Sequence, residues 1–392
     1  MNNRNPYKFE ALLLTITLLA VYFSIRTIWI AWQPSASVGA VAPRAAVMRA
    51  PEPWQRAWTC PIGAMLTGAP AAWSNGWVAL AGRGRMAVVD NGGRLCWSQT
   101  FSNVFFTGAP AVAGDTVFAV GSSGELLAVD VATGALRWQV AIDSACRHGP
   151  LAMQCGGTWQ VVLLSSSDGV LRWFDAATGR ELAQSQPTNE SDGPPGTDGR
   201  MLAYGNCDAT MYVFDLVERK PLAAIPVGAG LQAAARSAMP TGVMAGGMLV
   251  RDGLIYGGTG GGELVCARVA DSNIVWRAPV ADREAFNTPV AAGKRVLMSN
   301  HDGEVMAFDA TSGTEVWQVS LSNVVKTLCV AGDAVFTVAG GALVGLRAAD
   351  GRIFLRQKVG DDVDGPVWNG RTLAVAADGG DLIGFRPMTN DQ

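Results

Sequence analysis

Apolar and polar residues alternate along this chain in short runs that recur as a repeated unit. The clearest copy extends from Gly108 to Ile142 and reads GAPAVAGDTVFAVGSSGELLAVDVATGALRWQVAI. Two apolar runs meet at a glycine-containing turn, an Asp ends the second run, a Thr-Gly turn follows, and a Trp lies in the last run. Short alternating or fully apolar runs bounded by glycine are typical of β-strands joined by tight turns. The pattern therefore predicts a small antiparallel sheet in each repeat.

The position of that Asp gives the period of the repeat. Its eight occurrences are Asp90, Asp130, Asp175, Asp215, Arg268, Asp309, Arg347 and Arg386. The intervals between them run from 38 to 53 residues, and most are close to the ~40–45 residues of a four-stranded propeller blade. Eight copies predict an all-β fold, an eight-bladed β-propeller.

The eighth copy stops before its last strand. Residues 53–62, which read PWQRAWTCPI, have the Trp-bearing composition of that strand and no earlier strands of their own. Pairing this segment with the end of the chain would close the ring and complete the last blade. We therefore predict a propeller over residues 54–392, closed by the N-terminal strand 53–62.

A Trp follows the Asp position by seven or eight residues in four copies, at Trp97, Trp138, Trp276 and Trp317. The third, fourth and seventh copies carry Ala183, Ala223 and Leu355 there. We expect the four tryptophans to pack between blades as structural residues. The blade aspartates are expected to bond backbone groups of their own turns. Neither set indicates catalysis.

The N-terminal segment has a different character. Residues 9–32 read FEALLLTITLLAVYFSIRTIWIAW, long enough to cross ~30 Å of hydrocarbon as a helix. Arg26, Trp29 and Trp32 would then lie at the membrane interface. The alternative is a cleaved signal peptide, whose apolar region is usually only ~7–15 residues long. We predict a cytoplasmic tail at 1–8, a single-pass signal anchor at 9–32 in the inner (cytoplasmic) membrane, a linker at 33–53, and a propeller in the periplasm.

Composition narrows the chemistry that the chain can perform. The net charge of −3 gives no basic surface for nucleic acid. Only two histidines occur, which limits metal sites. Among seven cysteines, Cys146 and Cys155 are near neighbours and are the candidates for a disulfide in an exported protein. The alternative is that the cysteines are small buried residues with free thiols.

The copies DVATGALRW, from Asp130, and DATSGTEVW, from Asp309, resemble the repeat of pyrroloquinoline-quinone (PQQ) propellers, and the resemblance covers residues from about 54 to 392. That superfamily includes quinoprotein dehydrogenases, the outer-membrane β-barrel assembly lipoprotein and sensor domains of membrane kinases, so the resemblance implies the fold more than the function. Its dehydrogenases carry an adjacent Cys-Cys pair and a Glu/Asn/Asp calcium cluster. No Cys-Cys dipeptide occurs here. We predict no enzyme, no cofactor and no metal.

Two irregular segments are candidate contact surfaces. One is the polar connection 184–200, and the other is an insertion within 228–247, which contains Leu231, Met239, Val243 and Met244. These apolar residues would either fold back on the propeller or meet a partner.

The leading hypothesis is a non-catalytic scaffold or accessory subunit of a bacterial cell-envelope complex, which binds other membrane or periplasmic proteins and no nucleic acid. A role in outer-membrane protein assembly is the variant that the resemblance implies. The alternative is a PQQ-dependent dehydrogenase or small-molecule sensor at the propeller axis, which reconstitution with PQQ and calcium and a dye-linked assay would reveal.

Overall fold

A computed structural model describes residues 54–228, 243–244, 246–280, 285, 287–361, 363–377 and 379–388. The predicted tail, linker and membrane anchor, with Arg26, Trp29 and Trp32, lie outside these residues. Within the described ranges, no helix is long and apolar enough to cross a membrane.

The described residues form 32 β-strands. The first sixteen are β1 (Trp54–Pro61), β2 (Ala71–Trp73), β3 (Gly76–Ala81), β4 (Arg85–Asp90), β5 (Leu95–Thr100), β6 (Phe106–Ala113), β7 (Thr116–Gly121), β8 (Glu125–Asp130), β9 (Leu136–Ala141), β10 (Leu151–Cys155), β11 (Thr158–Leu164), β12 (Leu171–Asp175), β13 (Glu181–Gln184), β14 (Gly196–Thr197), β15 (Met201–Gly205) and β16 (Thr210–Asp215). The others are β17 (Lys220–Pro226), β18 (Met248–Arg251), β19 (Leu254–Gly258), β20 (Glu263–Arg268), β21 (Asn273–Pro279), β22 (Val290–Ala292), β23 (Arg295–Ser299), β24 (Glu304–Asp309), β25 (Glu315–Ser320), β26 (Val325–Ala331), β27 (Ala334–Ala339), β28 (Ala342–Arg347), β29 (Ile353–Lys358), β30 (Val363–Trp368), β31 (Leu373–Ala377) and β32 (Asp381–Pro387).

These strands form eight four-stranded sheets, and every strand pair is antiparallel. Blades 1 to 7 are the consecutive sets β2–β5, β6–β9, β10–β13, β14–β17, β18–β21, β22–β25 and β26–β29. Blade 8 has the order β30-β31-β32-β1, so that its outer strand comes from the other end of the chain. The predicted all-β, eight-bladed propeller is confirmed.

Burial explains why the strands stack as blades. The second strand of a blade is apolar on both faces, as in β3 (GWVALA) and β7 (TVFAVG), and every residue of these two strands is buried. One core cluster joins Val78 and Val88 of blade 1 to Val117 and Val129 of blade 2. A sheet with two apolar faces needs a neighbour on each side, and a closed ring gives every blade both neighbours.

The outer strand of blade 8 closes the ring. In β1, Trp54 is opposite Pro387 of β32, and Pro61 is opposite Asp381. The Trp54 side chain is only 7% exposed. Its ring centroid lies 4.6 Å from that of Phe336 in blade 7 and 5.6 Å from that of Trp368 in blade 8. This one side chain therefore joins the closing strand to two blades.

The four repeat tryptophans each contact the following blade in the same way. The indole Nε1 atoms of Trp97, Trp138, Trp276 and Trp317 donate to the backbone oxygens of Val131, Ala176, Ala310 and Ala348, at 2.8 to 3.1 Å. Each acceptor is the residue after the repeat's Asp position. Trp58 of β1 occupies the equivalent place for blade 8, because a Cβ added to Gly93 would lie 2.4 Å from its ring. In blade 3 the outer strand carries Ala183 at the Trp position, and Trp173 lies opposite it on the neighbouring strand β12. The large side chain is therefore supplied by β12 in this blade.

A glycine in the turn lies against each repeat indole, and we expect this close packing to contribute to the stability of the propeller. Gly313 has a φ of 72°, and an added Cβ would lie 2.6 Å from the Trp276 ring. Gly114 has a φ of 58° with nothing within 4 Å of its added Cβ. We expect Gly313→Ala to lower the free energy of unfolding by about 1–3 kcal/mol more than Gly114→Ala, since only the first change displaces an indole. Urea denaturation measures both losses, and equal losses would contradict the packing role.

The repeat aspartates bond their own turns, which confirms their predicted role. Asp130 Oδ1 accepts from the backbone nitrogens of Ala132 and Thr133 at 3.0 and 2.8 Å. Hydrogen bonds from Arg137, followed by those from Thr133, lower the pKa of Asp130 to about 2. In blade 7 the repeat position is Arg347, and the acidic residue of the turn is Asp350. Asp350 forms an ion pair with Arg347, and its carboxylate accepts a hydrogen bond from Arg352 N at 3.1 Å.

Candidate interaction face

One face of the propeller carries the longer connections between blades. We call it the loop face: it comprises the loops that join one blade to the next and the turns between the second and third strands of each blade. These two kinds of segment are hydrogen-bonded to each other around the ring, as in Ile142 N to Gly124 O at 2.9 Å and Val280 N to Gly262 O at 2.8 Å. The repeat aspartate turns lie on the opposite face, which we call the turn face.

A pair of consecutive loop residues bridges two neighbouring blades. Ala145 O accepts from Ser166 N of blade 3 at 2.9 Å, and Cys146 N donates to Ser122 O of blade 2 at 3.3 Å. The pair Glu190–Ser191 makes the same two bonds between blades 3 and 4, and Val243–Met244 makes them between blades 4 and 5. We call this pair the clamp, because it fixes each loop to the turns on both sides.

The clamp changes the interpretation of the predicted contact residues. Val243 and Met244 are 3% and 0% exposed, and Met244 packs in the core with Val213 and Val265. These two residues are part of the propeller rather than an exposed surface, because their backbone groups are held at the boundary between blades. Leu231 and Met239 lie outside the described residues.

The predicted disulfide is not formed. Cys146 packs in the core between blades 2 and 3, with Phe118 and Val161, whereas Cys155 packs between blades 3 and 4, with Leu202. Both are free thiols. Burial raises the pKa of Cys146 to about 12 and raises that of Cys155 as well. Stacking therefore places the two residues on opposite sides of blade 3, despite their proximity in the sequence.

The polar connection 184–200 is also drawn into the fold. Residues 191–196 are buried. Asp192, at 1% exposure, forms an ion pair with Arg147, and Arg147 Nη1 also lies 2.9 Å from Glu190 Oε1. The polar residues of this connection thus join it, through a largely buried guanidinium, to the loop that precedes blade 3.

The adjacent His148 gives a pH dependence of stability. Burial lowers the pKa of His148 from 6.5 to about 4. A hydrogen bond with the Asp192 backbone opposes this shift, and the charge of Arg147 adds slightly to it. The unfolded chain therefore takes up this proton first, and stability should fall by about 3 kcal/mol as the pH drops from about 6.5 to about 4. Urea denaturation across this range should show a shallower decline for His148→Gln, and identical slopes would contradict the assignment.

An exposed patch remains on the loop face of blade 1. Met65 and Phe105 are 64% and 62% exposed. Their carbonyls accept from Gly82 N and Ser122 N at 2.9 and 2.8 Å, so the backbone fixes both residues at equivalent positions of neighbouring blades. Arg83, exposed and with a φ of 61°, lies on the turn between the two loops. We call these three residues the blade 1 patch.

The blade 1 patch has the composition of a protein interface. Aromatic residues, Met and Arg are the residue types enriched at such interfaces. Arg83 has no ion-pair partner among the residues that the structure describes. Sequence reasoning missed the patch, although a signal existed: Met65 and Phe105 stand at the same distance before the two Thr-Gly-Ala-Pro segments of the chain.

Close packing and an ion pair join neighbouring blades at their inner strands. Gly149, just before β10, lies so close to β6 of blade 2 that a Cβ added to it would be 1.8 Å from Ala109 O. Lys326 and Asp364, on the inner strands of blades 7 and 8, form an ion pair at 3.4 Å, so this carboxylate already has a cation. In the described part of the chain, no three His, Cys, Asp or Glu side chains are grouped to hold a metal ion.

The closed ring and its Asp-to-Trp repeat define a PQQ-type eight-bladed propeller. A family model described as "Outer membrane protein assembly factor BamB" matches residues 35–186, 106–222, 167–362 and 301–389. The matches overlap and together include all eight blades. The chain belongs to this family.

Two curated relatives carry the same description. The protein of Burkholderia pseudomallei is 24% identical over 356 residues, which are 77% of this chain and 87% of that protein. The protein of Bordetella pertussis is 22% identical over 242 residues, and the match spans 59% of each chain.

Solved structures share the architecture at low identity. BamB from Moraxella catarrhalis has a TM-score of 0.71 at 18% identity, covering 85% of this chain and 99% of that one. The computationally designed Ika8 protein has a TM-score of 0.69 at 14% identity, covering the same share of each chain. Because a designed protein matches about as well, these similarities establish the fold alone.

Proposed function

We propose that this protein is a non-catalytic accessory subunit of a cell-envelope complex that assembles outer-membrane proteins. The observation that carries the proposal is the blade 1 patch, which contains the two most exposed large apolar side chains among the described residues, Met65 and Phe105. The family description indicates the kind of complex. Exposed apolar side chains on the same face as an exposed arginine fit a protein partner better than a small substrate.

Site-specific photo-crosslinking in cells tests the docking surface. A photoreactive amino acid at position 65 or 105 should crosslink to other envelope proteins. The same amino acid at Val217, which is 53% exposed on the turn face, is the matched control. Crosslinks of equal yield at all three positions would show that the loop face has no special role.

The assigned process needs a separate experiment. Depleting the protein should lower the amounts of folded outer-membrane porins, measured by heat-modifiable mobility in membrane fractions. If porin levels are unchanged while crosslinks at positions 65 and 105 remain selective, the protein would be an accessory subunit of a different complex.

We further propose that residues 9–32 anchor the protein in the inner membrane with the propeller in the periplasm. The length and apolarity of this segment support the proposal. Protease added to spheroplasts should degrade the propeller, while a small N-terminal fragment remains with the inner membrane after alkaline extraction. Recovery of the mature chain beginning after residue 32 would instead identify a cleaved signal peptide.

A further inference from the structure

The outer strands of the eight blades differ in how their free edges are protected. All eight lie in the described part of the chain, and each pairs with a single neighbour in its own sheet. An unpaired strand edge can bind another strand, so proteins usually place charges or prolines there. Seven of these strands contain at least one charged residue, and four examples are Arg137 in β9, Glu181 in β13, Lys220 in β17 and Arg277 in β21.

The outer strand of blade 1 lacks this protection. It is β5, Leu95–Thr100, with the sequence LCWSQT, and it contains neither a charged residue nor a proline. Five of its six residues are exposed and the sixth is partly exposed. Leu95, a large apolar residue, is 41% exposed at its first position. The inner side of the strand is fixed by its ladder to β4, from Val89–Leu95 to Arg85–Thr100, which is interrupted by a bulge at Cys96.

We propose that the free edge of β5 is a docking site for an extended, uncharged segment of a partner polypeptide, which adds a fifth strand to blade 1. The free backbone N–H and C=O groups of an edge strand are satisfied by another extended chain. The uncharged side chains of β5 offer no ion pair to a charged segment, and burying an unpaired charge beside them is unfavourable. An uncharged segment of alternating Thr and Val, which favour strands, is therefore a suitable probe for this edge.

A flexible segment fits this edge better than a second copy of the chain. Six residues of strand extend for only about 20 Å. Two convex propellers that met along this length would bury much less than the roughly 1,200 Å² of a stable interface. An extended segment needs only the edge itself. The inference does not depend on which complex the protein joins.

Cys96 provides a native probe at this edge. It is exposed, whereas the other six cysteines are buried or partly buried. A synthetic peptide of alternating Thr and Val, with one central Cys activated as a mixed disulfide, should be captured by Cys96 of the full-length protein through thiol–disulfide exchange. Each capture rate is divided by the rate at which Cys96 of the same protein reacts with a small neutral disulfide, which corrects for differences in the reactivity of the Cys96 thiol.

Two matched comparisons make the result specific. The same peptide methylated at every backbone nitrogen, which cannot donate to the edge, should be captured on the order of tenfold more slowly. Ser98→Lys should reduce capture of the unmodified peptide by a similar factor, whereas Gln139→Lys in β9, which already contains Arg137, should leave it unchanged. Hydrogen exchange of β3 and β4 amides establishes that both variants are folded.

The possible results are distinct. Faster exchange with the unmodified peptide, together with slower hydrogen exchange of β5 amides in its presence, supports strand addition. Equal capture of the methylated peptide overturns the proposal. Preferential formation of a Cys96–Cys96 dimer that excludes the peptide would also overturn it, in favour of pairing between two copies. None of these results alters the crosslinking test of the blade 1 patch, so the two proposals can fail separately.

Discussion

Replacing Trp54 with Ala should lower the free energy of unfolding by about 3–5 kcal/mol, the usual cost of removing a buried Trp side chain. The effect is large because Trp54 is 7% exposed and contacts Phe336 of blade 7 and Trp368 of blade 8. Its loss leaves a cavity where the ring closes, and the paired backbone of β1 prevents the site from collapsing. Urea denaturation of the full-length protein measures the change.

Trp159→Ala is the matched control, because Trp159 is a strand residue with 36% exposure and lies away from the closure. Its replacement should cost less than half as much, since part of the side chain is already in water. Similar losses for the two variants would mean that Trp54 contributes only ordinary burial and has no special place in ring closure.

Arg147→Met should lower the free energy of unfolding by about 3–5 kcal/mol, because it leaves the Asp192 carboxylate buried without its guanidinium. Asp192 has 1% side-chain exposure, and Arg147 has 25%. The double variant Arg147→Met with Asp192→Leu should cost less than Arg147→Met alone, since it removes the buried charge as well. Thermal and urea unfolding of the two variants provide the comparison.

Arg94→Met is the control for this ion pair. Arg94 Nε lies 3.0 Å from Asp90 Oδ2, a distance typical of an ion pair, but its side chain is 80% exposed. Loss of an exposed pair should change stability by less than about 1 kcal/mol. A loss as large as that of Arg147→Met would show that geometry, and not burial, decides the contribution of these pairs.

Much of the fold could be predicted because each blade repeats the same short pattern of strand and turn residues. The Asp position marks the last residue of the third strand in blades 1 to 7, and this holds where Asp has been replaced, as at Arg268 and Arg347. Glycine and Asp specify turns through their own backbone preferences and hydrogen bonds, which depend on neighbours in the sequence. The periodicity therefore survived the loss of Trp in blade 3, where Trp173 compensates for Ala183.

The predicted contacts between distant segments were less reliable. Proximity in the sequence suggested that Cys146 would pair with Cys155, but stacking of the blades puts them in different core layers. For Val243 and Met244 the sequence left two outcomes open, folding back on the propeller or contact with a partner, and the clamp buries them in the propeller. Neither point could be settled from the sequence, because a side chain's surroundings in a propeller come from the neighbouring blade, about 40 residues away in the chain.

The number of blades, the boundaries of most strands and the segment that completes the last blade follow from a period and from local turn chemistry, so they can be read from the amino-acid sequence alone. Which residues face solvent depends on contacts between blades and is seen only in the folded protein. Met65 and Phe105 stay outward because hydrogen bonds to the turns of blades 1 and 2 fix their carbonyls. The outer edge of β5 is open because the outer strand of each blade pairs on one side only, and among the eight outer strands only β5 contains neither a charged residue nor a proline.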